Sequence, residues 1–254
     1  MALKLTKTFT YILIAIIVIA GGVGLYLINP SEKKIYLSEE VSFQASDGIN
    51  LSGTIYTPIS QDGPFRVVIL IHEFGADRHQ WDSFINDFIN RDFAVLSYDM
   101  RGFGKSENVP KNEDYYDTLL RDAAGAVTWL NKNPNVIPGK IGVVGAQLGG
   151  TIAYASSAYF SNISLAVAIS PSANVGNLIL GREQSNFNPH SILFQFLDTE
   201  RTSIQPLIDI SGEPKEIRIY RPESPAVMAS GIALLHRDLR AFGDLLRYLD
   251  DNLQ

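Results

Sequence analysis

The chain alternates between short runs of apolar residues and longer segments whose apolar residues recur at helical spacing, and this rhythm restricts the fold more than any other feature. Val67–Ile71, Ala94–Tyr98, Ile141–Val144 and Leu165–Ile169 are nearly continuous apolar runs. Such runs are the mark of strands buried on both faces. Between them, Trp81, Phe84, Ile85, Phe88 and Ile89 repeat at helical spacing, as do Leu120, Ala123, Ala124, Val127 and Leu130. Gly149–Tyr159 reads as a helix of small residues. Ile192–Phe196 and Glu216–Tyr220 read as the last two strands. Leu235, Leu239, Phe242, Leu246, Leu249 and Leu253 give an amphipathic helix at the end. Strands alternating with helices predict a mainly parallel sheet covered on both faces, an α/β architecture. At its start, Val41–Ser46 and Ile49–Pro58 flank Asp47-Gly48, a strong turn signal, and predict an antiparallel hairpin. Ser172–Ser191, with several Gly and Asn residues and no clear period, is the one stretch available for a lid.

The first thirty residues are of a different kind. Lys4 and Lys7 precede an uncharged stretch from Thr8 to Ser31 whose centre, Tyr11 to Ile28, is almost wholly apolar. As a helix it would extend roughly 27 Å, close to the thickness of a bilayer core. The expectation is one transmembrane helix within residues 1–30, a linker at 31–40 and a single domain at 41–254. A cleavable signal peptide is the rival, with Val18-Ile19-Ala20 as a weak cleavage site, but the apolar run continues past it through Ile28. Lysines flank the segment on both sides, so the charge bias is slight. The expected arrangement is a single-pass membrane protein with its domain on the extracytoplasmic side.

Composition removes several classes of function. Hydrophobic residues make up 46% and charged residues 19%, enough apolar material for a sizeable core. A net charge of −6 without a dense basic run argues against a nucleic-acid partner. The absence of cysteine excludes disulfides and a thiol nucleophile. His72, His79, His190 and His236 are scattered, none at metal-ligand spacing with another, so no metal site is expected. The glycine-rich segments fit neither a dinucleotide fingerprint nor a P-loop, and no cofactor is implied.

Three segments carry the chemical information. His72-Glu73-Phe74-Gly75 follows one predicted strand, and Asp99-Met100-Arg101-Gly102-Phe103-Gly104-Lys105-Ser106 follows the next. Gly145-Ala146-Gln147-Leu148-Gly149-Gly150 lies between the strand Ile141–Val144 and the small-residue helix. Together these resemble the α/β-hydrolases, especially their dienelactone-hydrolase-like and serine-peptidase-like branches, over about residues 41–254. The resemblance implies that the first loop offers the Phe74 N–H, and the elbow the Leu148 N–H, to an oxyanion. It also implies that Asp99 and Arg101 serve structure, and that His72 shapes its loop. The elbow in that family is Gly-x-Ser-x-Gly. Here each glycine demanded by the tight turn is present, but the reactive position is Gln147. A carboxamide has no readily removed proton and cannot form an acyl-enzyme as serine does.

The remaining members of the triad should follow in the order acid, then histidine. Asp198 or Glu200, after the strand Ile192–Phe196, fills the acid position. The histidine position falls on Ser230, ahead of Gly231-Ile232-Ala233-Leu234-Leu235, and a serine cannot act as the general base. His236 is offered as a substitute base, but it lies in or at the start of the last helix, with its direction unsuited. Glu73, where many relatives have glycine, is expected to point to solvent. A carboxylate beside an oxyanion site would oppose developing negative charge. The expectation is a membrane-anchored, catalytically degenerate α/β-hydrolase-fold protein that binds a small ligand or a protein. An active hydrolase of esters, peptides or lactones using a non-standard site is the second reading, and a structural membrane-associated subunit the third.

Overall fold

The computed structural model describes the backbone of residues 13–19 and 22–28, and residues 35–112, 115–174, 191–221 and 229–254 in full. It divides into two units, Met1–Ile35 and Tyr36–Gln254.

The first unit differs from the expected membrane helix. Its described part is a two-stranded antiparallel ribbon of β1 (Leu13–Ile19) and β2 (Gly22–Ile28), with Leu13 opposite Ile28 and Ile19 opposite Gly22. Among the described residues, no helix is long and apolar enough to cross a membrane. Local preference accounts for the difference. Ile14, Ile16, Ile17, Val18 and Ile19 are branched at Cβ and favour extended backbone, while Gly22 and Gly24 weaken a helix.

The second unit begins earlier than the expected boundary. β3 (Tyr36–Gln44) pairs along its whole length with β4 (Asn50–Pro58), so the predicted linker 31–40 is strand from Tyr36 onward. Its first half lacks a strand signal because Ser38, Glu39 and Glu40 are consecutive polar residues and no position from Tyr36 to Glu40 is buried. β5 (Phe65–Ile71), α1 (Ile85–Ile89), β6 (Phe93–Tyr98), α2 (Tyr115–Asn131), β7 (Val136–Ala146), α3 (Leu148–Tyr159) and β8 (Leu165–Ile169) follow. Then come β9 (Ile192–Leu197), α4 (Arg201–Ile210), β10 (Lys215–Tyr220), α5 (Ile232–Arg237) and α6 (Leu239–Asn252). Eight strands form one sheet in the order β10-β9-β8-β7-β5-β6-β4-β3. Pairing is parallel from β10 to β6 and antiparallel from β6 to β3. β8 is buried throughout, as are β5 from Val67 and β7 from Ile141, which is why these stretches read as unbroken apolar runs.

The C-terminal helix is two helices. Asp238 accepts a hydrogen bond from the Arg240 N–H and starts α6 afresh, leaving Leu239 82% exposed instead of on the apolar stripe. α4 carried no clear periodic signal and contains Pro206. The predicted lid lies largely outside the described residues, as does His190.

The Asp99–Ser106 turn is an ionic knot. Asp99 accepts from the Arg78 guanidinium at 2.6 Å and from the N–H groups of Arg78 and Lys105. Arg101 binds Asp122 at 2.7 Å and both oxygens of Asp47 at 2.8 Å. Arg101 holds the Asp47 carboxyl down at about 2, whereas burial pushes Asp122 up to about 6 against the pull of the same arginine. Both Asp99 and Arg101 are thus occupied with holding the chain in place.

Candidate functional site

The elbow joins β7 to α3 as tightly as a backbone can. A Cβ on Gly145 would lie 2.1 Å from the Gly149 oxygen, and one on Gly149 2.3 Å from the Ile71 oxygen. No side chain fits at either position. Gln147 sits at the apex with φ 49 and ψ −113, a backbone that side-chain-bearing residues adopt only under strain. Its N–H donates to Ile169 at 2.8 Å, and its carbonyl accepts from the Thr151 N–H. The Gln147 side chain is exposed, and its carboxamide makes no hydrogen bond with a described residue. The residue stands where the elbow holds a reactive group out to a ligand, in the high-energy turn which that task requires.

Of the two acidic residues, Glu200 is the one bonded to Ser230. Its carboxylate accepts from the Ser230 hydroxyl at 2.7 Å, the Ser170 hydroxyl at 2.8 Å and the Leu197 N–H at 2.9 Å. Asp198 instead pairs with the exposed Arg221 at 3.2 Å. Glu200 and Ser230, expected at the acid and histidine positions, are therefore joined, as a carboxylate and a hydroxyl. Ser230 makes no hydrogen bond to Gln147. Ser170 was not singled out from the sequence. It has φ 47 at the end of β8 and also accepts the Gly231 N–H at 3.0 Å. A lone serine after a strand carries no sequence signal for that role.

Glu73 does not point to solvent. It is half-buried, and its carboxylate accepts the Ile232 N–H at 2.7 Å and the Gln80 amide at 3.0 Å, while Gln80 accepts the Glu73 N–H at 2.9 Å. The reason is an unpaired donor: Ile232 opens α5, and its N–H has no partner inside the helix. Gly231, with φ 62, leaves the space. A Cβ there would meet the Glu73 carboxylate at 2.0 Å and the Gln147 Cγ at 2.8 Å. Glu73 and Gln147 thus converge beside Gly231, one a pure acceptor and the other both donor and acceptor.

The N–H groups of Phe74 and Leu148, assigned to an oxyanion, have no hydrogen-bonding partner among the described residues. The Phe74 ring is half exposed and meets Phe103 edge-on at 5.3 Å. His72 is fully buried. Its Nε2 accepts the Met100 N–H, so its Nδ1 donates to the Glu73 carbonyl at 2.7 Å. Burial lowers its pKa and keeps the ring neutral, and with both nitrogens engaged it has no proton to trade. His79 binds Asp82 on the surface. His236 is in α5, with its ring 4.6 Å from that of Phe84. Ser106 is tied to Asp99, and Ser157 to Tyr154. Among the described residues, no group of three or more acidic or histidine side chains is placed to hold a metal ion.

Residues 62–219 match the profile of the serine aminopeptidase S33 family. The chain belongs to that family. It is 27% identical over 204 residues to the polyketide transferase grgF of a Penicillium species, covering 78% of this chain and 67% of that protein. With the thiohydrolase aneE of Aspergillus aculeatus it shares 28% identity over 144 residues, 56% of this chain and 43% of the relative. A Gibberella fujikuroi polyketide transferase is 35% identical over 123 residues, 47% of this chain and 37% of its own length. Two of these three matches therefore span less than half of the relative.

Solved structures agree on the fold. The α/β-hydrolase GrgF from Penicillium superposes with a TM-score of 0.70 at 17% identity, covering 85% of this chain and 99% of that one. An acetyl xylan esterase from Paenibacillus gives 0.70 at 16%, over 89% and 87%. The fold of the family is present, and its elbow glycines surround Gln147.

Proposed function

We propose that this α/β-hydrolase-fold protein is catalytically degenerate and uses its cleft to bind a small molecule or a protein. The observation that carries the reading is the pairing at the former triad: Gln147 at the strained apex, with Ser230 bonded to Glu200 in place of an imidazole. Neither an acyl-enzyme nor proton transfer from the nucleophile has a group to support it. Loss of such members costs about 10⁴–10⁶ in rate. The open Phe74 and Leu148 N–H groups supply two donors to a ligand instead, and the Gln147 amide supplies both donor and acceptor.

The proposal includes attachment to a membrane through the apolar N-terminal stretch, with the domain on the extracytoplasmic side. A two-stranded ribbon leaves its outer backbone groups unpaired, which hydrocarbon does not tolerate, so insertion requires the helical form. Circular dichroism of a peptide covering residues 1–34 in lipid vesicles tests this: an unchanged strand spectrum rejects insertion as a single helix.

A second reading, hydrolysis of ester, peptide or lactone bonds by a non-standard site, draws on relatives named thiohydrolase and on the free N–H groups. Fluorophosphonate labelling separates the two. The expected result is a silent wild type and labelling of Gln147→Ser combined with Ser230→His. Labelling of the wild type at a serine rejects the degenerate reading.

A further inference from the structure

A separate cleft lies beside the acid loop. It holds about 430 Å³ and is lined by Arg201, Arg218, Arg221 and Arg240 together with Asp198 and Asp244. These come from four places in the chain: the turn after β9, the start of α4, the end of β10 and the first turns of α6. Four guanidinium groups meet here in a protein whose net charge is −6.

The ion pairs within the cleft are unevenly distributed. Asp244 is already engaged by the Tyr220 hydroxyl at 2.9 Å and by Arg247 at 2.8 Å. Asp198 is shared with Arg221, Arg218 pairs with Glu216 at 2.6 Å, and Arg240 with Asp238 at 2.7 Å. The arginines of these last three pairs are exposed, and ion pairs of exposed side chains are weak, so they yield readily to a stronger anion. Arg201 has neither an ion pair nor a hydrogen bond among the described residues.

We propose that this cleft binds a phosphate-bearing ligand, with Arg201 and Arg221 as the main contacts. A carboxylate offers two oxygens and is satisfied by one guanidinium fork. A phosphate group offers more acceptors around a tetrahedral centre and can use several forks together. The site does not include Gln147, and the proposal does not depend on what the elbow does.

The phosphate could belong to a soluble phosphoester or to a lipid headgroup. Titration calorimetry of the full chain with inorganic pyrophosphate, and flotation with phosphatidic-acid against phosphatidylcholine vesicles, distinguishes them. Arg201→Ala with Arg221→Ala is the test variant, and both side chains are surface groups whose removal leaves the core intact. The expected result is saturable pyrophosphate binding that weakens at least tenfold in the variant and with rising salt. Preference for phosphatidic-acid vesicles that the variant loses assigns a lipid headgroup, and pyrophosphate binding without that preference assigns a soluble phosphoester. No saturable binding of either probe, or binding that the variant retains in full, overturns the proposal.

Discussion

The elbow at Gly145–Gly150 and the loops that carry Glu200 and Ser230 are under different constraints. At Gly145–Gly150 each position that packing demands is filled as the family pattern requires, because the approach of α3 to β5 and β7 leaves no room for a Cβ. Gln147, by contrast, stands exposed at the apex, and Ser230 bonds Glu200, so the side chains at these positions are not dictated by packing in the same way. The difference teaches that the backbone frame of an active site is held by the fold, and its reactive groups only by the reaction. A protein can lose the second and still need the first.

The sharpest way to break this comparison is Gly149→Ala. Its methyl group would lie 2.3 Å from the Ile71 oxygen, so a loss of about 3 kcal/mol or more is expected in chemical denaturation. A loss under about 1 kcal/mol would show that the elbow has slack and that its glycines record ancestry alone.

Next in size is Glu73. Removing its carboxylate leaves the Ile232 N–H without a partner, and Glu73→Ala should cost about 1–3 kcal/mol. Gly231→Ala should be destabilising in the wild type and milder in a Glu73→Gly background, since one of its two obstacles is then gone. Purely additive losses would mean that Glu73 and Gly231 do not share the space. On function, adding Glu73→Gly to Gln147→Ser and Ser230→His should speed fluorophosphonate labelling by removing a negative charge beside the reacting oxygen.

Gln147→Gly should stabilise the protein by about 1 kcal/mol, since glycine tolerates φ 49 at little cost. A neutral result would place the strain elsewhere. The smallest effect belongs to the ionic knot. Arg101 holds Asp47 at about 2, below its ordinary 3.8. The stabilisation is therefore complete above the unfolded value and is lost as pH falls through about 2. Asp47→Asn should flatten that part of the acid unfolding curve by no more than about 1 kcal/mol.

Much of this was legible in the sequence. β5, β6, β7 and β8 were marked by apolar runs, because strands buried on both faces have no polar side to disguise them. The elbow was legible because its glycines are dictated by local backbone geometry, and Gln147 could be read by its place among them. Elements with weaker local signals were missed or misdrawn: the wet edge of β3, the proline-bearing α4 and the break between α5 and α6, set by a single capping aspartate.

What the sequence by itself determined was the frame: a mainly parallel sheet and an elbow whose glycines surround Gln147. The tertiary structure alone decided which carboxylate meets Ser230, turned Glu73 inward to an unpaired helix donor and gathered four arginines from distant segments into one cleft. The reason is the range of the forces involved. Hydrophobic period and turn geometry are written in neighbouring residues. The partner of a polar side chain is chosen by whichever donor or acceptor the folded chain leaves unsatisfied nearby, and that residue can lie 159 positions away, as Ile232 does from Glu73.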